Sequence, residues 1–241
     1  MSAPLLQVEG LDAWYGAAPV LRGVGLSVNA GEVVALLGRN GAGKSTTMKA
    51  LIGLVGRRAA RLNFDGHDLR ALPTHAIVRL GLGYVPEDRR IFTDLTVAEN
   101  LDVGRRRASA FTRGGPPEWT VERVFELFPS LAVMKDRPGG RMSGGEQQML
   151  TVARTLMGNP RLLLLDEPSE GVAPLVVEQM AQAVVRLKQA GVALLLSEQN
   201  LDFCGRVADR AVVLESGEVT WTGGFHALRA DPVRLEGLLA V

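Results

Sequence analysis

Short apolar segments separated by turn residues make up the N-terminal part of the chain. Three of these segments are rich in valine and leucine and predict β-strands: Leu5–Val8, Val20–Val28 and Val33–Leu37. We expect turns between them at Gly10, Gly16 and Ala30-Gly31. A further strand and turn are predicted at Leu62–Gly66, and Ile77–Leu80 is predicted to close a short helix. The pattern therefore indicates a β-rich beginning.

The pattern becomes helical over residues 96–158. Thr120 is suited to cap a helix whose apolar side chains recur at helical spacing on one face, namely Val121, Val124, Phe125 and Phe128. A second helix is predicted after Ser143, and its apolar stripe consists of Met149, Val152, Ala153 and Leu156. Asn159-Pro160 ends that helix, and Arg105–Pro117 predicts a loop. We expect a helical insertion here.

Strands and helices alternate again after this insertion. Leu162–Leu165 is a continuous apolar run, which is typical of a strand buried on both faces of a sheet. An amphipathic helix is predicted over Pro174–Ala190, and a further strand over Val192–Leu196. Glu215–Glu218 is a hairpin signal, and the strands on either side of it are Ala211–Leu214 and Val219–Trp221. We predict an α/β fold.

Composition and charge narrow the functional classes. The 241 residues include 27 Lys and Arg against 26 Asp and Glu, so no strong field marks the whole chain for nucleic acid. The short clusters Arg57-Arg58, Arg89-Arg90 and Arg105-Arg106-Arg107 are interpreted as solvated faces rather than polyanion sites. The single cysteine, Cys204, excludes an internal disulfide and is interpreted as a packing residue.

Neither export nor membrane crossing is predicted. The N-terminus lacks the basic flank and apolar stretch of a signal peptide. Leu162–Leu165 is the densest apolar run and is far shorter than a bilayer span. The histidines, His67, His75 and His226, show no metal-ligand spacing and are interpreted as surface residues. If the protein acts at a membrane, we expect another chain to carry it there.

A glycine-rich segment lies between the predicted strand Val33–Leu37 and the helix-compatible stretch Thr47–Leu54. We predict that it forms a phosphate loop, made of Gly38, Arg39, Asn40, Gly41, Ala42, Gly43, Lys44, Ser45 and Thr46. Its glycines allow backbone N–H groups to turn towards a polyphosphate, and the helix dipole strengthens the same anion site. Lys44 supplies a positive charge for the β- and γ-phosphates, and the Ser45 hydroxyl can hold Mg²⁺.

Two carboxylates, Asp166 and Glu167, follow the apolar run Leu162–Leu165. We call them the acidic pair. The carboxyl end of a buried strand is where α/β sheets place their ligands. Asp166 is suited to bind Mg²⁺ through water, and Glu167 to orient or deprotonate the water that attacks a γ-phosphate. Together with the phosphate loop, the acidic pair predicts nucleoside triphosphate hydrolysis.

Two other segments each allow two interpretations. Tyr15 could stack on a nucleotide base, or it could be a half-buried aromatic of a strand. Ser143, Gly144, Gly145 and Glu146, which we call the signature segment, could be a simple helix cap. The same geometry would also direct free N–H groups and a hydroxyl towards an anion.

The order of these features resembles the nucleotide-binding subunit of an ATP-binding cassette (ABC) transporter over essentially the whole chain. The signature segment distinguishes that family from other phosphate-loop enzymes, such as kinases and GTPases. The resemblance implies a RecA-like P-loop NTPase core over residues 1–95 and 159–241, which includes an N-terminal antiparallel β subdomain. It also implies an inserted helical signature subdomain over residues 96–158.

The resemblance implies roles for individual residues as well. Two subunits would pair head to tail around two ATP molecules, so that the signature segment completes the partner's site. Tyr15 would stack on the adenine. Glu87, in the polar exit loop after Val85-Pro86, would join Ser45 and Asp166 around Mg²⁺. Gln199 would meet the γ-phosphate beside the catalytic Glu167.

Four motifs look closer to the branched-chain amino acid (LIV-type) uptake group, and within it to the shorter of its two ATP-binding subunits. They are Val85–Glu87, Met142–Leu150, Glu167–Gly171 and Ser197–Asn200. The chain has Glu87 where most cassettes have Gln, Ala173 where Asp is usual and Gln199 where His is usual. An amide donates a hydrogen bond but carries no charge. We therefore expect slower hydrolysis at this site, in an asymmetric pair with a more conventional partner.

The resemblance implies a peripheral ATPase subunit at the cytoplasmic face of the membrane, with Glu87–Leu95 and the helical insertion docking onto a permease. Implied partners are a second ATPase subunit in a homo- or heterodimer, two permeases and an extracytoplasmic solute-binding protein. Importers of urea, amides or other small solutes are alternatives. A soluble cassette that grips nucleic acid is disfavoured, because such proteins usually carry two cassettes or long coiled-coil insertions. A kinase leaves the signature segment unexplained.

Overall fold

The computed structural model describes residues 3–106, 116, 118–233 and 237. Their strands form two sheets. The first is antiparallel and has the order β2-β1-β5-β6, with β4 also paired to β1. Its strands are β1 (Leu6–Tyr15), β2 (Ala18–Val28), β4 (Gly56–Arg58), β5 (Arg61–Phe64) and β6 (His67–Asp68). The predicted β-rich beginning is thus confirmed.

The expected turn at Gly10 is wrong. Gly10 has φ 61° and lies inside β1, where the pairing register with β2 shifts between Val8 and Leu11. A residue in the left-handed region lets one strand accommodate an extra position without ending, and glycine adopts that conformation at little cost. The glycine therefore marks a bulge that bends β1.

The second sheet forms the core, and its strand order is β11-β10-β3-β9-β8-β7. Neighbouring strands from β10 to β7 are parallel, whereas β11 pairs with β10 as an antiparallel edge. Its strands are β3 (Val33–Leu37), β7 (Leu82–Val85), β8 (Leu162–Asp166), β9 (Ala193–Glu198), β10 (Arg210–Glu215) and β11 (Glu218–Gly224). Because the central strands are parallel, the carboxyl ends of β3, β9 and β8 meet at one edge.

Helices cover the core sheet and fill the chain between β7 and β8. They are α1 (Lys44–Ile52), α2 (Thr74–Arg79), α3 (Val97–Gly104), α4 (Val121–Leu127), α5 (Pro129–Val133), α6 (Gly144–Leu156), α7 (Pro174–Gln189), α8 (Leu201–Val207) and α9 (Phe225–Arg229). A 3-10 turn at Gly139–Arg141 precedes α6. The helices predicted after Thr120 and after Ser143 are confirmed, whereas α8 and α9 were not predicted. No helix in the described part of the chain combines the length and hydrophobicity needed to cross a membrane.

The core sheet is buried on both faces. Leu163 and Leu165 of β8 pack on one face with apolar residues of α6 and α7. Leu162 and Leu164 pack on the other face with α1 and the antiparallel sheet. Alternate side chains of a strand point to opposite faces, so a strand covered on both sides must be apolar at every position. This explains the uninterrupted leucine run.

The predicted loop Arg105–Pro117 lies mostly outside the described residues, since 107–115 and 117 are not described. The solvated face expected for Arg57-Arg58 is wrong for Arg57. Its guanidinium is half-buried and donates to the carbonyls of Leu51 (3.0 Å) and Leu69 (2.6 Å). It satisfies backbone groups at the end of α1, which a helix leaves without internal partners. Burial lowers the pKa of Arg57.

Candidate nucleotide site

The phosphate loop joins the carboxyl end of β3 to the first turn of α1. Gly38 has φ 153°, and a Cβ atom there would lie 2.4 Å from the carbonyl oxygen of Leu214 on β10. Only glycine fits such an approach. Ala42 N–H donates to the Arg39 carbonyl at 3.1 Å, which closes the loop into a turn ahead of α1. The loop thus brings backbone N–H groups and the N-terminus of α1 to one edge of the sheet.

Lys44 lies inside this loop and is only 4% exposed. Its Nζ donates to the carbonyls of Gly38 (2.9 Å) and Arg39 (3.3 Å) and lies 3.1 Å from Glu167 Oε1. A buried ammonium needs such partners, because an uncompensated charge in the interior is costly. The predicted phosphate-loop lysine and the predicted catalytic carboxylate therefore form a buried ion pair.

Asp166 ends β8 and is 1% exposed. Its Oδ1 accepts hydrogen bonds from Ser45 Oγ at 2.8 Å and from Ser197 Oγ at 2.6 Å. Its Oδ2 accepts from the Tyr84 hydroxyl at 3.0 Å. Burial, and then the charge of Asp166, raise the pKa of Tyr84 above its usual range, so the phenol remains protonated and donates.

Glu167 follows in a left-handed conformation with φ 46°, which is uncommon for a residue other than glycine. Its Oε2 accepts a hydrogen bond of 3.2 Å from Gln199 Nε2, which also donates to Asn40 Oδ1 at 2.7 Å. The side chain of Gln199 thus links the phosphate loop to the acidic pair. Catalytic side chains are commonly found in such sparsely populated backbone conformations.

Burial would raise the pKa of Glu167, but a hydrogen bond from Glu170 and the charge of Lys44 outweigh it and lower that pKa. The shared hydrogen bond and burial raise the pKa of Glu170 to about 7. Two carboxyl groups that share one proton push their pKa values apart. Of Glu167 and Glu170, Glu167 is therefore the ionised carboxyl group, and a general base must be ionised to accept a proton.

The donor atoms near the phosphate loop suit magnesium. Ser45 and Asp166 offer only oxygen atoms, which Mg²⁺ prefers, and Mg²⁺ is usually held by one or two carboxylates together with substrate phosphates. No group of three His, Cys, Asp or Glu side chains among the described residues could hold a metal by itself. Glu87 is exposed on the loop after β7, and none of the hydrogen bonds among the described residues joins it to Ser45 or Asp166.

The signature segment begins α6. Ser143 Oγ accepts from the Glu146 N–H at 3.3 Å, and Glu146 Oε2 accepts from the Ser143 N–H at 2.7 Å, a reciprocal capping box. A Cβ atom on Gly145 would lie 2.5 Å from Val176 Cγ2 on α7. Within the described residues no hydrogen bond joins this segment to the phosphate loop of the same chain. The cap interpretation is confirmed, and the anion-binding role stays a prediction.

Tyr15 ends β1 and is 46% exposed. The neighbouring Trp14 instead packs against Gly56, where a Cβ atom would lie 2.2 Å from Trp14 Nε1. Trp14 is partly buried, whereas Tyr15 is exposed, and the pairing register of β1 with β2 shifts just before the two aromatics. Tyr15 therefore presents a ring to solvent, which base stacking requires.

Comparison with known proteins decides the family. The ABC transporter family profile matches residues 21–170, which is more than half of the chain. The chain belongs to the ABC transporter family. It is an ATPase, and in this family ATP hydrolysis is coupled to transport.

Two curated relatives of this ABC ATPase cover almost its full length. It is 40% identical over 228 residues to the high-affinity branched-chain amino acid transport ATP-binding protein BraG of Pseudomonas aeruginosa, which covers 95% of this chain and 96% of BraG. It is 35% identical over 221 residues to the lipopolysaccharide export system ATP-binding protein LptB of Haemophilus influenzae, which covers 91% of this chain and 90% of LptB.

Solved structures agree with this assignment. The crystal structure of the ADP conformation of an ATP-binding cassette of an ABC transporter has a TM-score of 0.82 and 27% identity, and each chain is covered in full. The ABC ATPase described here therefore has the cassette fold, a P-loop NTPase core with mixed sheets, and its family binds nucleotide. The structure of cbiO1 from Clostridium perfringens, which is part of an ABC transporter complex, has the same fold, with a TM-score of 0.79 and 23% identity over 99% of this chain and 96% of that chain.

The sequence did not single out Tyr84, Ser197 or Glu170 as site residues. Tyr84 is three positions before Glu87, and Ser197 is two positions before Gln199. Both lie at the carboxyl ends of strands adjacent to β8. A signal was present, because polar residues that interrupt an apolar strand next to a ligand edge are candidates for the site. Identifying them required the strand order.

Proposed function

We propose that this chain is the ATP-hydrolysing subunit of an importer for branched-chain amino acids. One observation carries the chemical part of the proposal: Lys44, Glu167 and Gln199 form a connected group at the carboxyl ends of β3, β8 and β9. BraG, which is 40% identical over 95% of the chain, supports the choice of solute. LptB, an export protein, matches at 35% and makes export the second candidate.

In the proposed mechanism the γ-phosphate replaces the Glu167 carboxylate as the partner of Lys44. Lys44 leaves Glu167 for the phosphate oxygens. The freed carboxylate orients the attacking water and accepts its proton while the water oxygen bonds to the γ-phosphorus, and the bond from that phosphorus to the β–γ bridging oxygen breaks, so that ADP leaves. Gln199, already bonded to Asn40, donates to the γ-phosphate through its amide. Bound at Ser45 and Asp166, with Glu87 nearby, Mg²⁺ would neutralise charge on the β- and γ-phosphates.

The proposal includes a two-subunit sandwich. The signature segment would complete the ATP site of the partner, since its N–H groups and the start of α6 favour an anion. We also propose that residues 96–158 act as a helical subdomain that moves with the signature segment, while residues 1–95 and 159–241 hold the chain's own nucleotide. Hydrolysis and closure of the pair would then be coupled.

A groove between the core and the helical insertion supports docking onto a permease. It has a volume of about 410 Å³ and exposes the apolar side chains of Leu54, Phe92 and Val103. Arg154 lies on this groove, with its guanidinium carbon 5.0 Å from the centre of the Phe92 ring. Exposed apolar patches of this kind commonly mark protein interfaces. The subunit would thus sit at the membrane through its permeases, which receive solute from a binding protein.

Uptake by the reconstituted complex tests the proposal. Proteoliposomes containing this subunit, its companion cassette and the two permeases should take up labelled leucine, isoleucine or valine when binding protein and Mg-ATP are added. The Glu167→Gln variant should bind ATP and lose hydrolysis by a factor of about a hundred or more, because a general base contributes roughly 10²–10⁴-fold. Glu218→Gln, on the exposed β10–β11 hairpin, is the matched control.

The outcomes separate the candidates. Uptake of urea or amides without uptake of branched-chain amino acids would contradict the proposed solute but support the role as an importer ATPase. Stimulation of ATP hydrolysis by lipopolysaccharide export permeases, without uptake, would favour the export candidate. A Glu167→Gln variant with undiminished hydrolysis would contradict the assignment of the base.

A further inference from the structure

Three hydroxyls surround the Asp166 carboxylate. One belongs to the phosphate loop, Ser45, at 2.8 Å from Oδ1. The other two come from the strands on either side of β8: Ser197 on β9, at 2.6 Å from Oδ1, and Tyr84 on β7, at 3.0 Å from Oδ2. Asp166 is therefore held from both neighbouring strands, and neither Ser197 nor Tyr84 belongs to the sites already assigned.

The hydrogen bonds determine what Asp166 can still offer. A carboxylate has about four lone-pair positions. Ser45 and Ser197 occupy both positions of Oδ1, and Tyr84 occupies one of Oδ2. One position on Oδ2 is left, which suits a single contact to a metal-bound water, because Mg²⁺ in nucleotide sites keeps several of its waters.

Ser197 makes a further hydrogen bond through the same hydroxyl. Its Oγ accepts the backbone N–H of Glu167 at 3.1 Å while it donates to Asp166. Its own carbonyl accepts the same N–H at 3.0 Å. These bonds hold the left-handed turn at Glu167 that directs the carboxylate to Lys44. Ser197 is fully buried, so no water can replace its hydroxyl without rearrangement of the core.

We propose that Ser197 and Tyr84 are positioning residues of the ATPase site. Ser197 orients both members of the acidic pair, and Tyr84 orients the oxygen of Asp166 that faces magnesium. Residues that hydrogen-bond to a ligating carboxylate tune metal affinity by a factor of about 10–100. The proposal rests on the proposed function, because it assumes that the site binds Mg-nucleotide.

Single-hydroxyl deletions test the proposal. Ser197→Ala and Tyr84→Phe each remove one hydroxyl and keep the remaining side chain. Binding of Mn²⁺ in the presence of ADP, followed by electron paramagnetic resonance, should weaken about 10–100-fold in Ser197→Ala and up to about tenfold in Tyr84→Phe. Binding of a fluorescent ATP analogue in EDTA should stay within about twofold of wild type, since the phosphate loop is intact. Ser130→Ala, which removes a hydroxyl in α5, is the control.

Turnover distinguishes the two roles. At saturating Mg²⁺, Tyr84→Phe should recover wild-type kcat. Ser197→Ala should remain slow, because the Glu167 N–H has lost the Ser197 hydroxyl, one of its two acceptors. Wild-type Mn²⁺ affinity in both folded variants overturns the inference. If thermal unfolding shows that Ser197→Ala does not fold, the Mn²⁺ affinity of Tyr84→Phe decides alone. A wild-type protein that binds no Mn-ADP overturns the proposed function instead.

Discussion

At the scale of single residues, the carboxyl groups near the phosphate loop have different pKa shifts because their neighbours differ. Glu167 is ionised beside Lys44, whereas Glu170 keeps a proton that it shares with Glu167. Glu198, in turn, is buried at the end of β9 and accepts the backbone N–H groups of Ser169 and Asn200. Burial raises its pKa, and these bonds oppose the rise. The pKa is therefore lowered for Glu167 and raised for Glu170 and Glu198, although the charges of Glu167 and Glu198 both act on Glu170.

Glu170 predicts a pH dependence of stability. Its pKa rises from 4.5 to about 7 on folding, so the folded state favours its protonated form. That contribution is complete below pH 4.5 and is lost as the pH rises through about 7. Glu170→Gln stays neutral, so unfolding by urea at pH 5, 6, 7 and 8 should show the wild type losing stability relative to the variant. An unchanged difference across this range would contradict the shared proton, and Glu218→Gln is the control.

At the scale of elements, the helices differ in the groups that satisfy their ends. Helix α6 begins with the capping box of Ser143 and Glu146, and α3 begins with an equivalent box of Thr96 and Glu99. Helix α1 has no side-chain cap at its start, where the phosphate loop leaves N–H groups available. Its other end is closed by Arg57, which reaches back from β4. Helix α1, which begins at the phosphate loop, is thus anchored at its opposite end.

Arg57→Ala should therefore destabilise the protein more than its neighbour does. The guanidinium makes charge-assisted bonds to several carbonyls in a half-buried position, and their loss should lower the free energy of unfolding by about 2–3 kcal/mol. Arg58→Ala is the control, because the Arg58 side chain is 80% exposed and forms its ion pair with Asp12 on the surface. Such surface pairs contribute about 0–1 kcal/mol. Equal effects in chemical denaturation would show that Arg57 does not anchor α1.

At the scale of the whole molecule, the two faces of the core sheet pack against different parts of the protein. One face packs against α1 and the antiparallel sheet, next to the nucleotide edge. The other face packs against the helical insertion and α7, which carry the signature segment and its neighbour Val176. A single sheet therefore connects the candidate nucleotide site to the surface that we propose acts on the partner.

Gln199→His tests the asymmetric pair at this scale. A protonated imidazole would add one charge-assisted contact to the γ-phosphate, worth about 1.5–3 kcal/mol. If that contact acts in the transition state, turnover at this chain's site should rise about tenfold to a hundredfold. Hydrolysis should be measured in the complex, with the companion cassette inactivated. Unchanged turnover would end the hypothesis that Gln199 slows the site, and Gln182→His on α7 is the control.

Contiguous features were predictable from the sequence. The phosphate loop occupies one unbroken stretch, and the acidic pair directly follows a leucine run, so local pattern was enough to predict both. Strand β8 could be predicted because burial on both faces requires a continuous apolar run. Helices α4 and α6 could be predicted because capping residues mark where they begin. The predicted hairpin of β10 and β11 is confirmed for the same reason, since its turn residues are adjacent in the chain.

The pairing of the strands brings together residues that are far apart in the chain. Tyr84 and Ser197 reach the acidic pair because parallel pairing places β7 and β9 on either side of β8, and no local spacing encodes that order. Arg57 looked like a surface charge because its carbonyl partners are backbone atoms, which leave no mark in the side-chain pattern. Local sequence pattern was therefore enough to predict which chemical groups lie at the carboxyl ends of β3 and β8. The strand order determined which side chains orient that chemistry, because positioning depends on contacts between chain segments that lie far apart in sequence.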